Sequence, residues 1–241
     1  MSDESRPGDD EVVVARLREI GRQVHAGQVD VESRTRALGH LDEALRLLSD
    51  GTPRRRWQTV DDPARTETRA RDRGLSAFSG ALNVVAPPMS IRAGELPDGR
   101  RALIGRVRLG RLHEGPPRSV HGGVLAGLFD ELLGGGQRLN GGSPGMTGRL
   151  TVRYRRPTPL DADLELRVWI HDERTRRVVV RGECALVDEA SSRRGSPRGK
   201  DTITAHAEAI FMRVDFARLD DMMRDRPDGE TPATAPPPER R

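Results

Sequence analysis

The sequence predicts an α+β fold: an antiparallel β-sheet buried on one face, wrapped around one central helix, behind an N-terminal helical extension. Three observations carry this. Several segments alternate apolar and polar residues with period two, the pattern of strands with one buried face. One run, Gly122–Arg138, is a continuous stretch of Gly, Ala and Leu long enough for a helix. The first fifty residues repeat their apolar positions at helical spacing.

Taken in order, residues 1–10 are polar and acidic and are expected to be disordered. Residues 11–50 read as a helical arm. Val13, Leu17, Ile20 and Val24 share one face, and Leu38, Leu41, Leu45 and Leu48 share another, with Asp30 as an N-cap and Gly51 as a stop. Residues 51–74, rich in Arg, Asp, Thr and Pro, read as linker. The folded domain is expected over 75–215. Within it Ala102–Leu109 reads as a strand, with Val107 and Leu109 on one face. Leu150, Val152 and Tyr154 alternate with Thr151, Arg153 and Arg155, and Leu164, Leu166, Val168 and Ile170 with Glu165, Arg167 and Trp169. Val178, Val180, Cys184 and Leu186 form a further run, as do Ile203, Ala205, Ala207, Ala209 and Phe211. A Ser/Arg/Gly-rich loop, Asp188–Asp201, joins the last two strands. The Pro/Glu/Arg composition of 216–241 predicts a disordered tail.

Composition removes several classes of function. Of 241 residues, 34% are hydrophobic and 32% charged, so the whole length cannot be one buried core. Aromatics at 3% disfavour a base-stacking nucleic-acid binder. The lone Cys184 excludes a disulfide framework and multi-cysteine metal sites. His113, His171 and His206 lack ligand spacing, so neither metal nor cofactor is expected. No apolar run approaches the roughly 20 residues of a membrane span, and the acidic start MSDESRPGDDE lacks signal-peptide form. A soluble, cytoplasmic protein is the expectation. The 41 basic residues face 37 acidic ones, and all but Lys200 are arginine. That bias is what a GC-rich coding sequence produces; with the acids interleaved and no recognition module, no nucleic-acid partner is expected.

At 100° per residue the central helix divides sharply. Leu125, Leu128, Phe129 and Leu132 share the side that should face the sheet. Gly123, Ala126, Gly127, Asp130, Gly134 and Gln137 share the other. Glycine costs a helix interior about 1 kcal/mol relative to alanine, so several on one face imply that something approaches the backbone there. Asp130 lies mid-helix on this stripe, and two readings stand side by side: close packing with an ion-paired Asp130, or a site that uses its carboxylate. Glu131, on the flank, reads as solvated or ion-paired. Upstream, two prolines and then His121-Gly122-Gly123 leave unpaired N–H groups at the helix start, suited to an oxyanion or a polarised carbonyl.

The stretch EGPPRSVHGGVLAGLFDELLG resembles the signature of hotdog-fold acyl-CoA thioesterases, the group that includes phenylacetate-pathway and mammalian thioesterase-superfamily proteins. In that family an HGG motif opens the central helix and a catalytic Asp or Glu follows nine residues after the histidine, as Asp130 follows His121. A family strand begins with Ser or Thr and carries Tyr seven and Pro ten residues later, as Thr147, Tyr154 and Pro157 do here. SGALNVVAPPM (79–89) is similar to the family segment before the first long strand. The resemblance covers about 79–214.

The resemblance implies roles. Gly122 would donate its N–H to the thioester carbonyl, and Asp130 would act as general base or nucleophile. Thr147, from the other subunit, would hold the water, and His121 would fix the loop. Gly123 would line the substrate, while Arg149, Arg153, Arg155 and Arg156 are candidates for the phosphates of CoA, against the plainer reading of a wet strand face. Some relatives carry an asparagine six residues before the histidine; this chain has Gly115. The implied activity is hydrolysis of acyl-CoA to free acid and CoA by a homodimer or dimer of dimers, with no cofactor. A hydratase on the same fold would need a His/Asp pair around the α and β carbons, which this spacing does not supply. A non-catalytic acyl-CoA-binding or sensing protein is the alternative. The helical arm carries no functional motif, and deleting 1–50 is expected to leave the chemistry intact.

Overall fold

Six antiparallel strands make one sheet in the computed structural model, which describes residues 8–49, 74–142, 145–187 and 202–214. The strands are β1 (Ser90–Glu95), β2 (Arg101–Arg108), β3 (Gly145–Tyr154), β4 (Asp163–Glu173), β5 (Arg177–Leu186) and β6 (Ile203–Arg213). Their order across the sheet is β1-β2-β4-β5-β6-β3, which leaves β1 and β3 at the edges. The central helix α3 (Gly122–Gly136) lies against the inner face. Two further helices, α1 (Asp9–Ala26) and α2 (Val31–Ser49), precede the domain.

The alternation that predicts the strands also decides which face meets α3. Leu164, Leu166 and Val168 from β4, Val178, Val180 and Cys184 from β5, and Ala205, Ala209 and Phe211 from β6 are buried against Leu125, Leu128, Phe129 and Leu132 of the helix. Burying a Leu or Phe side chain contributes about 1.5–3 kcal/mol, so this layer dominates the stability of the domain. The alternation does not reveal β1. Five of its six residues are exposed, so this edge strand has no buried face to impose period two.

The outer face departs from the wet surface that the alternation suggests. Ala102, Ile104, Ala185 and Thr204 are buried there, and so is Glu165 at 1% exposure. The Glu165 carboxylate accepts from Arg106 Nε at 2.8 Å and Arg167 Nε at 2.7 Å, as a buried charge requires. Trp169 lies on the same face, with the Arg100 guanidinium 5.1 Å from its ring centre.

In the arm, Asp30 caps α2: its Oδ1 accepts from the Ser33 N–H at 2.8 Å. α1 begins at Asp9, inside the stretch expected to be disordered, with Asp9, Asp10 and Glu11 at its positive end. It docks on the domain. Val14 is buried, and Arg18 reaches four backbone carbonyls between Gly80 and Val84. α2 buries none of its residues. Trp57, Gly51, the loop 188–201 and the tail 216–241 lie outside the described residues, as does the linker except for Gly74. Among the described residues no helix is long and apolar enough to cross a membrane.

Candidate active site

The start of α3 is built by the chain that leads into it. Residues 114–120 fold back on themselves, with a Glu114–Val120 bridge and the Ser119 N–H donating to Pro116 O at 2.9 Å. Arg118 takes φ 59°, the left-handed conformation this turn demands. The Glu114 carboxylate is committed to the turn, accepting from the Arg118 N–H at 2.6 Å. The His121 N–H donates to His113 O at 2.8 Å, fixing the entry into the helix. The His113 imidazole has a buried Nδ1 without a partner among the described residues. Burial pushes its pKa below the ordinary 6.5.

His121 is the N-cap of α3. Its Nδ1 accepts from the Gly123 N–H at 3.0 Å. That bond uses the Gly123 N–H, and the same ring lies 3.1 Å from where a Cβ on Gly123 would stand, so Gly123 gives room to the capping histidine. The Val124 and Leu125 N–H groups both turn to His121 O. The Gly122 N–H alone of this first turn has no partner among the described residues. It sits at the positive end of the helix dipole. Across from it, the Tyr154 hydroxyl donates to Gly122 O at 2.7 Å and ties the helix start to the end of β3.

Two turns on, Asp130 meets Thr147. The Thr147 hydroxyl donates to Asp130 Oδ1 at 3.0 Å. Thr147 and Asp130 thus meet within one chain. A β-bulge makes the contact. Leu150 and Val152 face the core, so strict alternation would turn Thr147 outward; the register shift between Thr147 and Arg149 turns it back toward the helix. Gln137, buried at 4% exposure, holds the start of β3 in place. Its Oε1 accepts from the Gly145 N–H at 2.6 Å, while its Nε2 donates to Gly134 O at 3.0 Å and Gly145 O at 3.3 Å.

Beyond the bulge the plain alternation with Leu150 and Val152 sets the arginines. Arg149 and Arg153 lie on the outer face of β3, away from Asp130, with Arg149 paired to Glu208 at 3.8 Å. As candidates for a ligand in this chain's own groove, these two are displaced to the wrong side of the sheet. Arg155 and Arg156 follow Tyr154 at the mouth near the helix start, their N–H groups on Thr204 O.

The other flank of α3 is covered by residues 74–84, which the sequence left without a role. The Phe78 ring lies on Gly127, where a Cβ would come within 2.1 Å of Cζ. The Ser79 hydroxyl donates to Glu131 Oε1 at 2.6 Å, and Glu131 forms no ion pair among the described residues. The small-residue stripe thus has two occupancies: Gly127 makes way for Phe78, whereas Gly134 meets nothing closer than the Phe211 ring edge at 4.0 Å. The stripe runs between β3, which meets Asp130 through Thr147, and Phe78 and Ser79 on the other flank, with the His121 ring over Gly123 at its start.

Residues 118–191 match the family model described as thioesterase superfamily. A solved crystal structure of a thioesterase superfamily protein is 25% identical, with a TM-score of 0.64, over 88% of this chain and 92% of that one. The domain has the hotdog fold of the thioesterase superfamily. The 88% covered is more of this chain than the sheet and α3 make up. Also similar are thioesterase superfamily member 2 from Mus musculus (14% identity, TM-score 0.42, 55% of this chain and 93% of that one). The E. coli PaaI protein, from the phenylacetic acid degradation operon, matches at 14% identity and TM-score 0.41 over 52% and 82%.

Proposed function

We propose that this hotdog protein is a thioester hydrolase that cleaves acyl-CoA to a carboxylic acid and CoA. The observation that carries the reading is the Asp130 carboxylate, set mid-helix on the small-residue stripe and oriented by the Thr147 hydroxyl at 3.0 Å. Thr147 engages Oδ1 and leaves Oδ2 to take a proton from water. Attack on the thioester carbonyl then makes a tetrahedral oxyanion. An N–H at a helix start, as at Gly122, suits that charge because the donor is fixed and the dipole is favourable. Collapse expels the CoA thiolate, which takes up the proton. Direct attack by Asp130 through an anhydride uses the same atoms and is the nucleophilic variant of the same reading.

Eight residues separate Gly122 from Asp130, a rise of about 12 Å along one helix. Reacting atoms must come within about 3.5 Å, so one helix cannot supply both groups to one carbonyl. The functional unit is therefore a homodimer, in which Asp130 and Thr147 of one protomer face the Gly122 N–H of its partner. Arg155 and Arg156 at the mouth are the better-positioned cations for the phosphates of CoA. That substrate class is intracellular, in keeping with a cytoplasmic protein.

The test is thiol release from short, long and aromatic acyl-CoAs by wild type and Asp130→Asn, with binding measured in parallel. Loss of turnover of about a hundredfold or more with binding retained is expected for removal of the base. Undiminished turnover by Asp130→Asn would sink the mechanism. Binding without turnover by the wild type would leave an acyl-CoA-binding protein instead.

A further inference from the structure

One side chain of the N-terminal helix α1, Arg18, ties it to the loop that flanks α3. Residues 74–83 wind into a tight loop, with the Leu82 N–H on Gly74 O at 2.7 Å and the Gly80 N–H on Ser76 O at 3.0 Å. The carbonyls this winding leaves outward converge on Arg18. Its guanidinium donates to Asn83 O at 2.6 Å, Gly80 O at 3.0 Å, Ala81 O at 3.4 Å and Val84 O at 3.4 Å. An arginine fork meets four acceptors in one orientation, which a flexible ammonium does not. Burial lowers the pKa of Arg18, with the nearby Arg22 adding to the effect, yet guanidinium stays charged in proteins.

What this fork holds is Phe78. The ring is seated on Gly127, and Ser79 is bonded to Glu131 one turn later. Gly127 is one turn before Asp130 on neighbouring ridges of the helix. The ring therefore forms the apolar wall of the strip opposite Thr147, within a turn of the reacting carboxylate. An acyl chain extending from a thioester beside Asp130 along this flank ends against that ring.

Resting on the hydrolase reading, we propose that Phe78 sets the upper length of the acyl chain and that Arg18 of α1 is its positioning residue. The arm is then part of the specificity apparatus, not a dispensable extension. Loss of Phe78 opens the groove toward longer linear chains. Loss of Arg18 releases the loop and has the same sense, because the ring is no longer pressed on Gly127.

The experiment uses the full chain and a series of S-alkyl-CoA thioethers, short to long, which bind but cannot be hydrolysed. Affinities by calorimetry are read beside thiol release from the matching acyl-CoAs and the thermal midpoint of each variant. In Phe78→Ala the long-to-short preference should rise about tenfold, the low end for one methylene in an apolar pocket. Arg18→Ala should move it the same way, and the double variant no further than Phe78→Ala alone. A profile unchanged in Phe78→Ala overturns the proposal while leaving the hydrolase reading standing. A uniform loss across all lengths in Arg18→Ala, alongside a lowered midpoint, assigns Arg18 a merely structural part and overturns its positioning role. Thioether binding without thioester turnover removes the hydrolase reading, and the length shift still decides the proposal. Absence of both binding and turnover overturns the two together.

Discussion

Gly127→Ala isolates the contact between the helix and Phe78. In an ordinary helix interior this substitution stabilises by about 1 kcal/mol, because glycine loses more backbone entropy on folding. Here the new methyl would lie 2.1 Å from Cζ, 2.2 Å from Cε1 and 2.6 Å from Cε2 of Phe78. Carbon atoms in contact sit about 3.5–4.0 Å apart, so the ring must retreat by about 1.5 Å. Overpacking of this kind costs about 1–3 kcal/mol. The net effect in the wild-type background is destabilisation by up to about 2 kcal/mol. In a Phe78→Ala background the obstacle is gone and the same substitution stabilises by about 1 kcal/mol. The sign reverses, and the coupling between the two sites is about 2 kcal/mol. Urea denaturation of the four proteins, at one fixed protein concentration because assembly shifts apparent stability, measures it. Additivity within about 0.5 kcal/mol, or stabilisation by Gly127→Ala alone, would refute the seating of Phe78 on this glycine.

Two further outcomes are expected. Gln137→Ala removes the partner of both the N–H and the C=O of Gly145; unsatisfied buried groups of this kind cost about 1–3 kcal/mol each. Denaturation should show it, and Asp130-dependent turnover should fall too, since the start of β3 carries Thr147; a loss below about 0.5 kcal/mol would contradict this. His113 governs one part of the acid response. Its folded pKa is depressed by burial, so below pH 6.5 the unfolded chain takes up the proton first. Its contribution is whole above that pH and is lost as pH falls toward the folded pKa. The stability difference between wild type and His113→Gln should therefore shrink between pH 7.5 and pH 5.5; a pH-independent difference would remove His113 from the acid response.

The sheet was legible because one of its faces meets water more than the other. Leu164, Leu166 and Val168 announce β4 by alternation alone, while β1, exposed on both faces, leaves no such trace. The helix and its HGG start were legible for a different reason: glycines and a capping histidine have few other uses at a helix entry. What the sequence hid is long-range. No periodicity shows the bulge after Thr147, so the strand pattern turns that residue outward when the fold turns it inward. The glycine stripe correctly announces a close approach, but the visitor at Gly127 is Phe78, from a segment without pattern. Arg18 stands among many arginines on the charged side of α1, and only the meeting with loop 80–84 distinguishes it. Gln137 lies on the stripe with Asp130, and no local pattern shows that β3 arrives to bury it.

The glycine at 115 gains a physical cause from the same reasoning. A Cβ there would stand 2.7 Å from the Cα of His121 and 3.2 Å from its nitrogen. Both obstacles are backbone atoms fixed by the His121-to-His113 hydrogen bond and by the helix start itself, so they cannot swing aside. Any side chain at 115, asparagine included, would have to push the capping histidine out of place. With it would go the Nδ1 bond to Gly123 that leaves only the Gly122 N–H without a partner in the first turn. In this chain the close approach of the two segments and an amide side chain at 115 are mutually exclusive. Glu114, held in its turn by the Arg118 N–H, supplies no donor in its stead. On the hydrolase reading proposed above, polarisation of a bound carbonyl at this helix start would then fall to a fixed backbone donor and the helix dipole, both of which depend on His121 keeping its cap.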